Sequence, residues 1–336
     1  MTIAVMDLTW LDPVHASARD IAGAVGVVEA ARALDYAHRL GPTTTTFTAG
    51  LRHGWHGDPP LVAVSHDRRG RVTGVLEVAL PHWANTHVGS MNVTVDPAVR
   101  RQGVGRALYG AGVDRIRADG RTLVFGVCFD RPPAMGFAKA LGLDQVAEDV
   151  YRRQDVRTVD WDRLDHEYAD VERHAAGYEL TRVPGPTPDA LMADVTYLTG
   201  AINDAPVDAK DVQDEAFPPE RIRGFEVSQA AHRRRYYRLI ARVRGTGAVA
   251  GHTVVGVDIE RPWHAWQYDT SVLKAHRGHR LGLYLKIGML RWLADEEPQL
   301  RTLYTANAAS NTHMVRVNDA LGYYVVGRAI SWQQHL

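Results

Sequence analysis

Two stretches of this chain repeat one another, and the repeat restricts its fold more than any other feature. In the first, Met91 to Val95 is apolar and β-prone, and Asp96-Pro97 stops it, because proline donates no ladder hydrogen bond and restricts the residue before it. Arg100, Arg101 and Gln102 then lead through Gly103 and Gly105 into a segment whose apolar residues Val104, Ala107, Leu108 and Ala111 recur at helical spacing. Downstream, Asp269 to Leu273 reads as a strand and His276-Arg277-Gly278-His279-Arg280-Leu281-Gly282 as a turn. Leu281, Leu285, Gly288, Met289 and Trp292 share one face of the helix that follows. Gly74 precedes Arg100 by 26 residues, and Gly251 precedes Arg277 by 26. Leu141-Gly142 and Leu321-Gly322 mark the far end of each copy. The chain is therefore an internal duplication. Its expected domains are residues 1–156 and 178–336, joined by a helix within residues 157–177, where Trp161, Leu164, Tyr168, Val171 and Ala175 keep helical spacing.

Each copy reads as strand, helices, three strands, helix, strand, helix, strand. In the first, Ile3 to Leu8 opens with a strand, Asp12 to Leu40 is helical and Thr43 to Thr46 is a polar turn or short strand. Leu61 to Ser65 and Val72 to Leu80 form a hairpin, and Gln145 to Arg153 is the closing strand. In the second, Pro188 to Thr199 and Lys210 to Arg235 read as helical, and Tyr324 to Trp332 closes the copy.

A strand that turns tightly into a helix leaves the first helical N–H groups unpaired at the positive end of the helix dipole, a ready anion site. A pyrophosphate suits it. The spacing matches neither a P-loop nor a dinucleotide fingerprint, since no Gly-Lys-Ser/Thr follows and Gly103 opens no G-x-G-x-x-G. Val95-Asp96-Pro97 followed by Arg-x-x-Gly-x-Gly at the start of a helix resembles the acetyl-CoA pyrophosphate loop of the GNAT N-acetyltransferases.

That resemblance implies an α/β fold of two tandem GNAT-like acyl-CoA N-acyltransferase domains, each a mixed sheet flanked by helices. It implies acetyl-CoA as the cofactor, held in the first copy by the strand residues Val93, Thr94 and Val95 and by the loop residues Arg100, Arg101, Gln102, Gly103, Val104, Gly105 and Arg106. In the second copy the same roles fall to Val272 and Leu273, then to Arg277, Gly278, His279, Arg280, Leu281 and Gly282. Arg280 stands where the first loop glycine is expected, and Gly278 with the basic side chains is expected to compensate. Family members use asparagine in the next strand and turn to bond the pantetheine amides, which points to Asn307 and Asn311. Asn203-Asp204-Ala205-Pro206, Gln267-x-Asp269-Thr270, Lys286 and Val317-Asn318-x-x-Leu321-Gly322 extend the resemblance to tandem GNAT proteins of actinomycete-type bacteria. The two-lobed architecture is similar to that of mycothiol synthase, which uses its C-terminal lobe for catalysis.

Acyl transfer to an amine needs a proton acceptor and a donor to the leaving thiolate. Eight residues before the loop arginine stand Asn92 in the first copy and Asp269 in the second, and only Asp269 can ionise, to act either as a base, directly or through water, or as the acceptor of a structural hydrogen bond from a neighbouring loop. Glu77 is the first copy's alternative. The tyrosine that relatives use as general acid falls near Ala138 and Asn318, which leaves that step to water or to a tyrosine elsewhere, such as Tyr323. Trp83, Trp263 and His264, in aromatic loops before the strands, either wall an acceptor pocket or pack the lobes together.

Composition narrows the partners. Lys plus Arg and Asp plus Glu number 39 each, so no overall field argues for nucleic acid or an anionic membrane. One cysteine, Cys128, excludes an intrachain disulfide, and His276-x-x-His279 lacks a third ligand, so no metal is expected. Without a basic leader or a run near the roughly 18 apolar residues of a span, the chain is expected to be cytoplasmic, as a monomer or homodimer. The reading is an acetyl-CoA-dependent N-acetyltransferase acting on a small-molecule amine by direct attack in a ternary complex, with chemistry in the C-terminal lobe. Two other readings stand beside it: a silent acyl-CoA-binding sensor, and an aminoacyl transferase using tRNA.

Overall fold

The computed structural model describes residues 7–336. The expected strand from Ile3 to Leu8 therefore lies mostly outside the described residues. The chain divides into two compact units. The first holds residues 7–148 together with Asp208–Asp214 and Gly327–Leu336, and the second Asp149–Val207 and Glu215–Val326.

The first unit runs β1 (Asp7–Trp10), α1 (Ala18–Asp35), α2 (Thr44–His53), β2 (Leu61–His66), β3 (Val72–Ala79), β4 (Val88–Val95), α3 (Val104–Ala118), β5 (Leu123–Phe129) and α4 (Pro132–Ala140). β1 to β4 are successive antiparallel neighbours, and β5 lies parallel to β4. Asp12-Pro13 falls outside the helix because the Asp12 carboxylate accepts the backbone N–H groups of Val14 and His15 in a turn of its own. Thr43 to Thr46 is neither turn nor strand: Thr43 caps α2 through a reciprocal bond with Thr46, and that capping box wins over the β-propensity of threonine. α3 covers one face of the sheet, where Leu76, Leu108, Ile116 and Val124 are fully buried. A Cβ on Gly74 would stand 2.7 Å from Leu108, and one on Gly251 would stand 2.7 Å from the Ser271 carbonyl oxygen. The repeated glycine thus marks a close approach in both units.

The second unit takes residues 149–155 of β6 (Asp144–Asp155), then α5 (Trp161–His174), β7 (Tyr178–Pro184), α6 (Met192–Gly200), α7 (Pro219–Ala231), β8 (Arg234–Val243), β9 (Val249–Asp258), β10 (His264–Val272), α8 (Leu281–Glu296), β11 (Thr302–Ala308) and α9 (Thr312–Ala320). The last strand, β12 (Tyr324–His335), enters the first unit from Gly327 onward. β7 to β10 are antiparallel neighbours and β11 runs parallel to β10. α8 buries Leu281, Leu285, Ile287, Leu290 and Leu293 on this sheet. The expected linking helix is α5, which lies on α8 with Asp165 bonded to Arg291 at 2.5 Å and the rings of Tyr168 and Tyr284 5.2 Å apart.

Two expectations change here. Lys210 to Pro218 is not helical; α7 starts at Pro219, since proline fits the first turn of a helix but not its interior. Arg234 and Arg235 extend β8 rather than a helix end, and Arg235 grips the buried Glu297 carboxylate at 2.5 and 2.6 Å. The larger difference concerns the closing strands. Each was expected to close its own copy, yet β5 pairs with β12, from Phe129 with Ala329 to Leu123 with His335, and β11 pairs with β6, from Thr302 with Asp155 to Ala308 with Asp149. Each unit's sheet is completed by a strand from the other half of the sequence.

Candidate active site

The parallel pair of each unit parts company halfway along. β4 and β5 pair from Val88 with Leu123 to Met91 with Gly126, and β10 and β11 from His264 with Thr302 to Trp266 with Tyr304. Beyond those points the parallel ladder stops and the strands splay, with residues 92–95 and 269–272 at the mouth of the opening. Val93, Thr94 and Val95 lie at the end of the first strand, Val272 ends the second, and Leu273 stands just past it at the start of a tight turn. An extended chain of amides could bond at either opening.

Past each strand end the backbone follows the same course into a helix. Left-handed conformations occur at Arg101 (φ +67°) and Gly103 (φ +91°) in the first loop, and at Gly278 (φ +89°) and Arg280 (φ +54°) in the second. The two loops hold glycine at opposite members of the same pair of positions, so Arg280 does not break the loop. No side chain caps the N-terminus of α3 or α8, and a Cβ at Gly103, Gly278 or Gly282 would meet nothing within 4 Å. The amides of Gly103, Val104, Gly105 and Arg106, and of Arg280, Leu281 and Gly282, open each helix with no side-chain acceptor, an arrangement suited to an anion. Arg101, Gln102, Arg106, His279 and Arg280 are exposed around them, while the Leu281 side chain is core.

The loop arginines do something the sequence reading missed. Arg100 bonds Asp35 through both terminal nitrogens, at 3.0 and 2.7 Å, and its Nε reaches the Val95 carbonyl at 3.3 Å. Arg277 repeats the pattern with Asp204 at 2.8 Å and the Val272 carbonyl at 3.2 Å, and Lys274 adds a second cation on Asp204 at 2.6 Å. These guanidinium groups fasten the loop to the strand end and to a carboxylate from the preceding helical segment. Asp204 is held below the usual carboxylate range, first by Lys274.

The units differ at the strand itself. β3 and β4 pair without interruption from Gly74 with Val95 to Ala79 with Ser90, whereas β9 and β10 slip by one residue between Gln267 and Thr270. This bulge re-aims the strand and holds Asp269, whose side chain is 18% exposed. Asp269 Oδ2 stands 2.6 Å from His252 Nε2, and Ser271 Oγ donates to Oδ1 at 2.6 Å. His252 is completely buried, and Arg238 meets its Nδ1 at 2.7 Å. Burial pushes the His252 imidazole below its ordinary value, against the pull of Asp269. His252 and Arg238 were not singled out from sequence. The available signal was that His252 follows the repeated Gly251 where Val75 follows Gly74. In the first unit Asn92 donates to Glu77 at 3.1 Å, and burial raises the Glu77 carboxyl.

On β11, Asn307 ends a directional chain. Lys286 donates to Asn318 Oδ1, an oxygen that can only accept, at 2.5 Å, and Asn318 Nδ2 donates to Asn307 Oδ1 at 2.7 Å. Burial lowers the Lys286 ammonium to about 7, with Arg152 a lesser cause. The first unit has Cys128 in the position of Asn307, accepting from Trp332 at 3.1 Å, its thiol raised by burial.

Other expected site residues lie elsewhere. Tyr323 is 5% exposed in the core with its ring 4.7 Å from the Lys286 ammonium, and burial raises its hydroxyl far above the range of a useful acid. Asn311 is the N-cap of α9, accepting from Met314 N at 3.2 Å, so its oxygen is committed to the helix. Trp83 precedes β4, Trp263 precedes β10 and His264 is the first residue of β10, its ring 5.0 Å from Tyr304. All three stand at the closed end of their strand pair rather than at the splayed end. No group of acidic, histidine or cysteine side chains suited to a metal ion occurs among the described residues.

Residues 31–143 match the model of the acetyltransferase (GNAT) family. The structure is similar over its whole length to a tandem GNAT protein from the clavulanic acid biosynthesis pathway, with a TM-score of 0.79, 26% identity and 98% of each chain covered. It shares its fold with a GCN5-related N-acetyltransferase from Sphaerobacter thermophilus at TM-score 0.69, 13% identity and 99% and 97% coverage. A glucosamine N-acetyltransferase region in a fungal multi-domain GH3 beta-N-acetylglucosaminidase gives TM-score 0.72 at 11% identity, covering 99% of this chain and 38% of that one. No curated protein matches the sequence.

Proposed function

The chain is a tandem GNAT protein with the fold of an acyltransferase, and from that premise we propose that it moves an acetyl group from acetyl-CoA to the amine of a small molecule, with the chemistry in the second unit. Acetyl-CoA supplies the activated acyl group. The residues present fit it: the open amides at the start of α8 suit its diphosphate, and the splayed end of β10 at residues 269–272 suits its chain of amides. Asn307, its oxygen already taken by Asn318, keeps its N–H groups for an amide carbonyl.

The observation that carries the reading is the bulge in β10 with Asp269 on it. A carboxylate beside the splayed edge takes the proton from the attacking amine as the N–C bond forms. The electron pair of the C–S bond would leave on sulfur, and the thiolate would take a proton from solvent, to which Asp269 returns the proton of the amine; Tyr323 is buried. General bases of this kind contribute roughly 100-fold to 10,000-fold. The first unit keeps the anion loop but has Asn92 and Cys128 where the second has Asp269 and Asn307, which fits a structural or cofactor-retaining lobe.

A second reading, a sensor that binds acyl-CoA without turnover, draws on the missing tyrosine at Ala138 and Asn318. One assay separates them: thiol release from acetyl-CoA over a panel of aliphatic amines, amino sugars and amino acids. Release that depends on one amine supports the transferase, and tight binding with no release for any amine supports the sensor.

A further inference from the structure

We propose that His252 is a positioning residue for proton transfer, locked by Arg238 in one neutral tautomer so that Asp269, not the imidazole, receives the proton of the attacking amine. The proposal rests on the reading of Asp269 as the base.

The lock follows from what each side chain can do. An arginine guanidinium only donates, so the Arg238 nitrogen 2.7 Å from His252 Nδ1 requires a lone pair there. A neutral imidazole with Nδ1 bare carries its hydrogen on Nε2, and that hydrogen points at Asp269 Oδ2, 2.6 Å away. Charging the ring would put a proton on Nδ1 against the guanidinium. His252 is therefore a fixed donor and no relay, unlike a histidine whose second nitrogen faces a carboxylate and which can take up a proton.

Arg238 explains why the arrangement holds. It is 3% exposed and has no carboxylate of its own: one terminal nitrogen serves His252, the other the Tyr236 hydroxyl at 2.9 Å, and Nε has no partner. Across the imidazole from it stands the carboxylate of Asp269. The charged and titratable groups around the chain are Tyr236 and Arg238 on β8, Tyr268 beside Asp269 on β10, and Glu226 on α7. With Ser271 holding Oδ1 and His252 holding Oδ2, the carboxylate has one orientation, and each oxygen keeps a lone pair for the amine.

The test combines a spectroscopic and a kinetic arm on the full chain. With ¹⁵N-histidine, the His252 ring should show a bare Nδ1 and a protonated Nε2 throughout pH 5.5 to 9. In Arg238→Met the ring should instead become protonated on both nitrogens as pH falls. In thiol-release assays with acetyl-CoA and an amine from the panel above, His252→Phe should lower kcat about tenfold to 100-fold and move the acid limb of kcat to higher pH, because a carboxylate that loses a donor is more basic. KM for acetyl-CoA should stay put. His252→Gln, which can still donate to Asp269, should return the acid limb towards its wild-type place. A wild-type ring that protonates on both nitrogens within this range overturns the proposal, as does a His252→Phe acid limb that does not move. Should Asp269→Asn keep full turnover while the tautomer is as expected, the reading of Asp269 fails and the lock survives as a structural device.

Discussion

Arg280 occupies in the second loop the left-handed position that Gly103 occupies in the first, and Arg101 and Gly278 exchange places in the same way. Each loop therefore carries one strained L residue and one glycine. A second L residue in either loop would add a cost of about 1–2 kcal/mol. Gly278→Ala is expected to lower the unfolding free energy by about that amount in urea titration. Arg280→Gly should be neutral or stabilising by up to about 1 kcal/mol, because the exposed Arg280–Asp170 pair that it removes is worth little.

The two loops can be silenced separately. Gly105 lies in the first turn of α3 and Gly282 in that of α8, where a carboxylate would oppose the diphosphate. By isothermal titration, Gly105→Glu should remove any acetyl-CoA bound to the first unit and leave thiol release intact. Gly282→Glu should abolish release.

Asp269→Asn keeps the shape of the bulge but removes the base. Turnover should fall by about 100-fold or more, with KM for acetyl-CoA within about threefold. Initial-rate kinetics at saturating amine provide the check, and full activity would remove Asp269 from the mechanism.

Lys286 makes stability depend on pH. Its native ammonium titrates at about 7, against an ordinary 10.5. Below pH 7 folded and unfolded chains both hold the proton, and the burial cost is fully present. From pH 7 to about 10.5 the unfolded chain binds a proton that the native state lacks, so this contribution to stability rises with pH. Lys286→Met is therefore expected to gain on the wild type at pH 6 and to lose that advantage by pH 9.5. The shift is roughly 3 kcal/mol, read from paired urea titrations at the two pH values.

Much of this was legible in the sequence because it repeats. The spacing from glycine to loop arginine, the strand exits and the helical stripes are local patterns, and the structure places them as read, down to the loop that survives Arg280. What was not legible depends on side chains far apart in sequence. Arg100 and Arg277 were read as phosphate ligands by their charge; Asp35 and Asp204, which take that charge, lie 65 and 73 residues away. Asn311 has the right residue type in the right place, but a helix start claims it. The places of Tyr323 and His264 were not legible for a different reason: adjacency to a motif says nothing about which end or which side of the sheet a ring occupies. The chain from Arg238 through His252 to Asp269 crosses three strands, and only their register brings it together.

The exchange of closing strands between the two halves has a consequence for biosynthesis. The first unit lacks its last sheet neighbour until Ala329 to His335 have been made, so on the ribosome it must wait, with the outer edge of β5 uncovered, for about 200 further residues after β5 to be added. Premature termination that spares the entire first half would still leave that half's sheet without its last strand, and a cut at the midpoint would take one strand from each unit.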